Sequence, residues 1–400
     1  MKRKAFIQAV LILLLLGVSW IALFTKLKRE NVPGDTVPPL EEFQSPVVDP
    51  SNIEVEGELL PETPFRTDNR ELVPDIWLDW WDYLSGQGSP EDMQTALAAL
   101  RDLIGEMPPE RASDWLMEFI NSAADLRTGL AFQVQGDGRL RAANSLRAYL
   151  LDLLQMVDPD LAGSLAEQEL VDRGTLLVPD VYVIHMRNFA KWPELDDNQA
   201  MPFLQDKFQQ MIQHKPWTDN PTTAIAEAMD VAVYTRGVQL VPALSEMMQQ
   251  GQPQMLRHAS ALAMERLVDR MPLETLGMLL DELPRQSGSN NARAGYFARM
   301  DPGSPGAGEL FTAYLTSPAL NTGEAVRFLE SFPNLNQSYS NNLLSTHFSN
   351  TEPGEYVDWY ERALVRIQEW QQDDKLLHLQ DILTDTEDRL RTQLTGEPFL

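Results

Sequence analysis

Cysteine is absent from the 400 residues. That excludes disulfide scaffolds, thiol nucleophiles, Cys-based zinc or iron centres and a lipid-bearing cysteine, so the fold must be held by packing. A chain with 43% apolar residues supplies a core large enough for that. Histidine is scarce: the five residues His185, His214, His258, His347 and His378 include no pair at metal-ligand spacing. There is no Gly-x-Ser-x-Gly elbow, no phosphate loop and no dinucleotide glycine fingerprint. No metal, no cofactor and no catalytic constellation is therefore expected. Positive charge is also sparse. The net charge is -27, and residues 1–29 hold six Lys/Arg and no acid, so the remainder carries -33. After residue 29 only Lys191, Lys207, Lys215 and Lys375 are lysines. A body this negative is repelled by polyanions, which excludes nucleic acid as a partner.

Long apolar runs occur once. Lys2, Arg3 and Lys4 precede the uncharged segment Ala5–Phe24, and Lys26, Lys28 and Arg29 follow it. Twenty helical residues at about 1.5 Å each span the roughly 30 Å hydrocarbon core of a bilayer. Residues 1–29 are thus expected to be a transmembrane anchor, with Phe6, Leu14, Trp20 and Phe24 facing lipid or its interface. A cleaved signal peptide ending near Gly17-Val18-Ser19 is the alternative, though Trp20–Phe24 would then leave an apolar new terminus. Basic residues tie at three on each side. The short N-terminal tail favours a cytoplasmic N-terminus, with the body exported to the periplasm from a bacterial inner membrane.

Residues 30–74 hold eight prolines, many acids and no sustained period, which is linker composition. A flexible chain of that length spans about 35 to 40 Å, enough to stand a body off the membrane. Part of Val47–Leu60 lying along the body as a strand is the alternative. From Asp75 onward the apolar period is helical. Trp77, Trp80, Trp81 and Leu84 share one helical face. Such a stripe packs on a neighbouring helix or offers a partner-binding or sugar-stacking surface. Ser89-Pro90-Glu91-Asp92 reads as a helix start. Helices are expected through Leu103 and near 112–126, 139–156, 161–170, 202–213, 222–235, 240–249 and 255–270. Leu176–Met186 is β-branched and reads as a strand or as a buried helix.

Leu240–Asp269 resembles a HEAT repeat: a first helix with Pro242 near its start, a short turn, then a second helix carrying Arg257, Ala259, Ala261 and Leu262. The pattern Leu140-Arg141-x-Ala143-x-x-Leu146 repeats Leu256-Arg257-x-Ala259-x-x-Leu262 at a displacement of 116 residues, about three such units. The resemblance implies an α-solenoid over residues 75–283 whose concave face binds a partner. An irregular helical bundle is the alternative. The fold class expected is all-α.

Residues 284–400 change texture. Pro284–Gly308 is rich in Gly, Ser, Asn and Pro, and is expected as a long loop that is either functional, presenting Arg293 and Tyr296 to a partner, or a boundary. Short helices are expected at Glu309–Thr316 and, started by Asn321, at Glu324–Phe332. A polar stretch follows over Asn334–Gly354, with a sequon at Asn336-Gln337-Ser338 that matters only in a eukaryote. A long helix or a helical pair is expected to close the chain from Glu355 to about Thr392, with Tyr356, Trp359, Tyr360, Leu364, Ile367 and Trp370 inward.

Phe328-Leu329-Glu330-Ser331-Phe332-Pro333-Asn334 resembles the Glu-Ser-x-Phe-Asn segment of lytic transglycosylases, which implies Glu330 as a general acid. The phenylalanine is shifted, and the family's downstream Gly-Leu-Met-Gln stretch is missing. The sequence thus reads as a non-enzymatic, membrane-tethered helical scaffold binding an envelope protein. A periplasmic glycan-binding or glycan-cleaving protein is the alternative.

Overall fold

A computed structural model describes residues 89–122, 125–283, 291–335, 339–348 and 355–395. Among them the fold is all-α, with two short two-stranded hairpins. The expected span at residues 5–24, the linker at 30–74 and Trp77, Trp80 and Trp81 lie outside the described residues. So do Phe6, Leu14, Trp20, Phe24 and the sequon. Among the described residues no helix is long and apolar enough to cross a membrane.

Helix α1 (Pro90–Glu106) begins where its signals stand. The Ser89 side chain accepts from the Asp92 amide and the Asp92 carboxylate accepts from the Ser89 amide, two otherwise orphaned donors satisfied at once. Met93, Ala96, Leu97, Leu100 and Ile104 form its buried face. Helix α2 (Pro109–Asn121) follows, and then the hairpin β1 (Gln133–Val134) and β2 (Leu140–Ala142). This corrects the expected helix over 139–156. Leu140 and Ala142 are buried while Arg141 is exposed, a period of two, and Gly138 turns the chain at φ 77°. The Leu140–Ala143 half of the proposed repeat pattern is therefore not helical.

Helix α3 (Leu146–Val157), capped by Ser145, packs on α2, α4 (Pro159–Asp172) and α5 (Pro179–Ala190). In α5, Val181, Tyr182, Val183, Ile184 and Met186 are all buried. Leu176–Met186 thus resolves as the end of a short 3-10 turn followed by a helix that is buried on all sides, Asp180 and His185 included. Arg187 on α5 and Asp152 on α3 form an ion pair with both side chains 1% exposed. Asp152 also accepts from the Leu140 amide at 3.1 Å and from Arg101 of α1 at 3.3 Å. Arg187 donates to the Gly138 carbonyl at 3.2 Å. One carboxylate thereby pins the hairpin to three helices, which explains why β2 is held extended.

Helix α6 (Asp197–Gln213) leads through α7 (Lys215–Asp219), α8 (Thr223–Ala228) and α9 (Asp230–Tyr234) to α10 (Val241–Met247) and α11 (Gln254–Arg270). The last two are the expected helical pair, with Pro242 in the first turn of α10. Helix α12 (Pro272–Glu282) packs on α10 and α11. Within Pro284–Gly308 the chain forms α13 (Asn291–Ala298), a helix where a loop was expected, and α14 (Ala307–Leu315) begins before its end. Helix α15 (Thr322–Ser331) is capped by Asn321 as expected. The hairpin β3 (Tyr339–Asn341) and β4 (Thr346–Phe348) interrupts the polar stretch. The closing pair is α16 (Glu355–Gln371) and α17 (Gln380–Thr395), with Ile367 and Trp370 buried and Tyr360 and Leu364 partly so.

Candidate functional site

Helix α6 forms one wall of a groove. Pro202 and Gln209 are seven residues apart, so they share a face and stand about 10 Å apart along the axis. The facing wall is the chain from Tyr234 to Glu246. Between Pro202 and Gln209, the Gln205 amide donates to the Thr235 carbonyl at 3.2 Å and bridges the two walls. On either side of that bridge lie cavities of about 540 and 550 Å³.

The first cavity is lined by Asn198, Met201, Pro202, Tyr234, Thr235, Arg236 and Arg270. Pro202 has no amide proton to offer the Asn198 carbonyl one turn earlier. Helix α9 ends in a two-bond cap: the Gly237 amide donates to the Ala232 carbonyl at 2.9 Å and the Arg236 amide to the Val233 carbonyl at 3.2 Å. The left-handed position of such a cap is usually glycine. Here it is Arg236 at φ 50°, while the glycine stands one residue later. Gly237 is fixed by space, because a Cβ there would meet Leu240 at 2.8 Å and Thr235 at 3.1 Å. Arg236 and Arg270 are both exposed, and neither forms an ion pair among the described residues.

The second cavity is lined by Gln209, Gln239, Pro242, Ala243, Ser245, Glu246, Gln249 and Glu282. Three primary amides and a hydroxyl supply donors and acceptors together, which suits the alternating amides and carbonyls of an extended chain. It offers no histidine or thiol for chemistry. A smaller cavity of about 300 Å³ lies between the Leu315–Thr322 turn and Lys375 and His378.

Behind the groove the two ends of α8–α9 and α11 are joined in the interior. Asp230 accepts from Arg266 at 3.0 Å and from the Leu344 and Ser345 amides at 2.7 and 2.8 Å, and the Ser345 hydroxyl also donates to it. The chain leaving β3 is thus strapped onto α9. Glu227, one turn before Asp230, has its pKa pushed up to about 7, first by burial and then by the Asp230 charge, with Arg266 opposing. Arg266 itself is lowered by burial and, in part, by the neighbouring Arg270 charge.

The residues singled out in the sequence fall elsewhere. Arg293 is 1% exposed and pairs with Glu324, and Tyr296 is 6% exposed with its hydroxyl donating to the Ala261 carbonyl at 3.2 Å. Both belong to the interior and not to a presented loop. Glu330 stands on α15, its side chain 48% exposed, paired with Arg327 at 3.3 Å, and it lines none of the three cavities. Of the histidines, His185 is fully buried and His214 stacks edge-on with Trp217 at 4.7 Å. No group of three His, Asp or Glu gathers at metal-binding distance among the described residues. The groove residues carried a faint signal in the sequence: a proline inside a helical period at 202, and glutamines clustered at 205, 209, 239 and 249. Comparison with family models, with curated proteins and with solved structures finds no match to this chain.

Proposed function

We propose that this chain is a membrane-tethered helical scaffold of the bacterial envelope that binds an extended segment of a protein partner in the α6 groove. In this reading residues 5–24 anchor it in the inner membrane with the N-terminus cytoplasmic, residues 30–74 are the tether, and the helices stack as HEAT-like pairs in the periplasm. The observation that carries it is the groove itself: two cavities of similar size on one helix face, whose polar lining is amides, a hydroxyl, two arginines and two glutamates. Such a lining matches the backbone and side chains of a peptide better than an apolar ligand. The glycan-cleaving alternative loses its acid, because Glu330 is solvated and salt-bridged outside any described cavity.

Site-specific photo-cross-linking in cells tests the reading. A photoreactive residue at Gln209 or Gln239 should capture a discrete partner, and the same residue at Arg111 on α2 should not. Equal capture from both faces, or protease accessibility of the body only from the cytoplasmic side, would remove it.

A further inference from the structure

The geometry points to a carboxylate-binding subsite at the Arg236/Arg270 end of the groove, which would take an acidic side chain of the partner segment. The inference rests on the partner-binding reading above and adds the chemistry of what is bound.

Two guanidinium groups border one cavity of about 540 Å³ without an acid beside either among the described residues. Arg111, Arg127, Arg141, Arg147, Arg257 and Arg389 likewise form no ion pair among the described residues, but Arg236 and Arg270 line one cavity together. Arg101, Arg173, Arg187, Arg266, Arg293, Arg299, Arg362 and Arg391 each pair with a carboxylate, as a surplus of acids would lead one to expect. In a body carrying -33, two arginines that line one cavity without an ion pair are groups that a carboxylate meets favourably. Arg236 is also held in a left-handed cap where glycine would serve the backbone better, so the residue is present at a conformational cost. A carboxylate on an extended peptide fits the two cations at this end of the groove.

The test uses the full-length chain in mild detergent at 150 mM salt with two fluorescent, capped peptides, tetraglutamate and tetraglutamine. Tetraglutamate is expected to bind at least about tenfold more tightly, a difference of roughly 1.4 kcal/mol, and the gap should narrow as salt rises. Arg236→Gly, which suits the left-handed cap, should lose most of the preference with the helical circular dichroism unchanged. The double charge reversal R236E/R270E should remove the rest. Equal binding of the two peptides, or a preference that survives both variants, would overturn the subsite and leave the scaffold reading standing. Displacement of tetraglutamate by inorganic phosphate at equal concentration would overturn it too, in favour of a free oxyanion site. If neither peptide binds and the groove cross-links are also absent, both readings fall together.

Discussion

The guanidinium of Arg293 meets the carboxylate of Glu324 through two parallel hydrogen bonds, Nε to Oε1 at 2.6 Å and Nη2 to Oε2 at 2.7 Å. The side chains are 2% and 0% exposed. Tyr314 donates to the same Oε1 at 2.8 Å and stacks its ring on Phe297 at 3.8 Å, so α13, α14 and α15 converge on one carboxylate. An arginine in a Gly/Ser/Asn-rich stretch looks like a surface residue until its acid, 31 positions away, is folded against it.

Breaking this pair from one side leaves a charge stranded in the interior. Arg293→Met should cost about 3 to 5 kcal/mol of stability, measured by urea unfolding, because Glu324 then lacks its counter-charge. The double variant R293M/E324L should recover most of that loss, since a buried pair replaced by apolar side chains is often near neutral. A double variant as unstable as the single one would show that the helices need the pair itself.

Glu227 sets a pH dependence in the opposite sense from a salt-bridged acid. Its folded pKa of about 7 lies above the ordinary glutamate value of 4.5, so the folded chain holds the proton more tightly than the unfolded one between those values. Stability therefore falls as pH rises from 4.5 to about 7, and below 4.5 no further gain follows. Glu227→Gln should flatten the curve in that window and raise stability at pH 7.5 by about 2 kcal/mol. Thermal melts of both proteins from pH 4.5 to 8 check it, and parallel curves would contradict the assignment.

His185 is fully buried on α5 with neither ring nitrogen hydrogen-bonded, and burial lowers its pKa to about 3. The neutral ring is the folded form, so its contribution is intact above the ordinary 6.5 and is lost progressively as pH falls toward 3. Replacing an unsatisfied polar ring with an apolar side chain removes a desolvation penalty of about 1 to 3 kcal/mol. His185→Leu is expected to raise the urea midpoint and to blunt acid unfolding between pH 6 and 4. A lower midpoint would mean that the ring shape, and not its polarity, matters there.

Helix starts and the closing pair were legible because their causes are local. Ser89 and Asp92, Pro242 and Asn321 act within a few residues of themselves, and Ile367 and Trp370 recur at helical spacing. What was not legible depends on distant partners. Leu140 is extended because Asp152, twelve residues on, accepts its amide. The groove is equally non-local: α6 supplies one wall, the Tyr234–Glu246 chain the other, and Gln205 meets Thr235 across 30 positions. Repeat-like spacing at Leu140 and Leu256 therefore misled, since identical residue patterns took a strand in one place and a helix in the other.

Arg236 links stability to binding in a way one substitution separates. A non-glycine residue at φ 50° carries a steric cost of about 1 kcal/mol, which glycine avoids, while glycine's greater freedom in the unfolded chain returns part of it. Arg236→Gly should leave the protein as stable as the parent or more so by about 0.5 kcal/mol, measured by urea unfolding. Arg236→Ala keeps the strained φ and removes the same guanidinium, so it should match the loss of tetraglutamate binding without the gain in stability. If glycine restored binding relative to alanine, the backbone of the cap would be the recognition element. If both weaken binding alike while only glycine stabilises, the arginine is retained at that position for its charge.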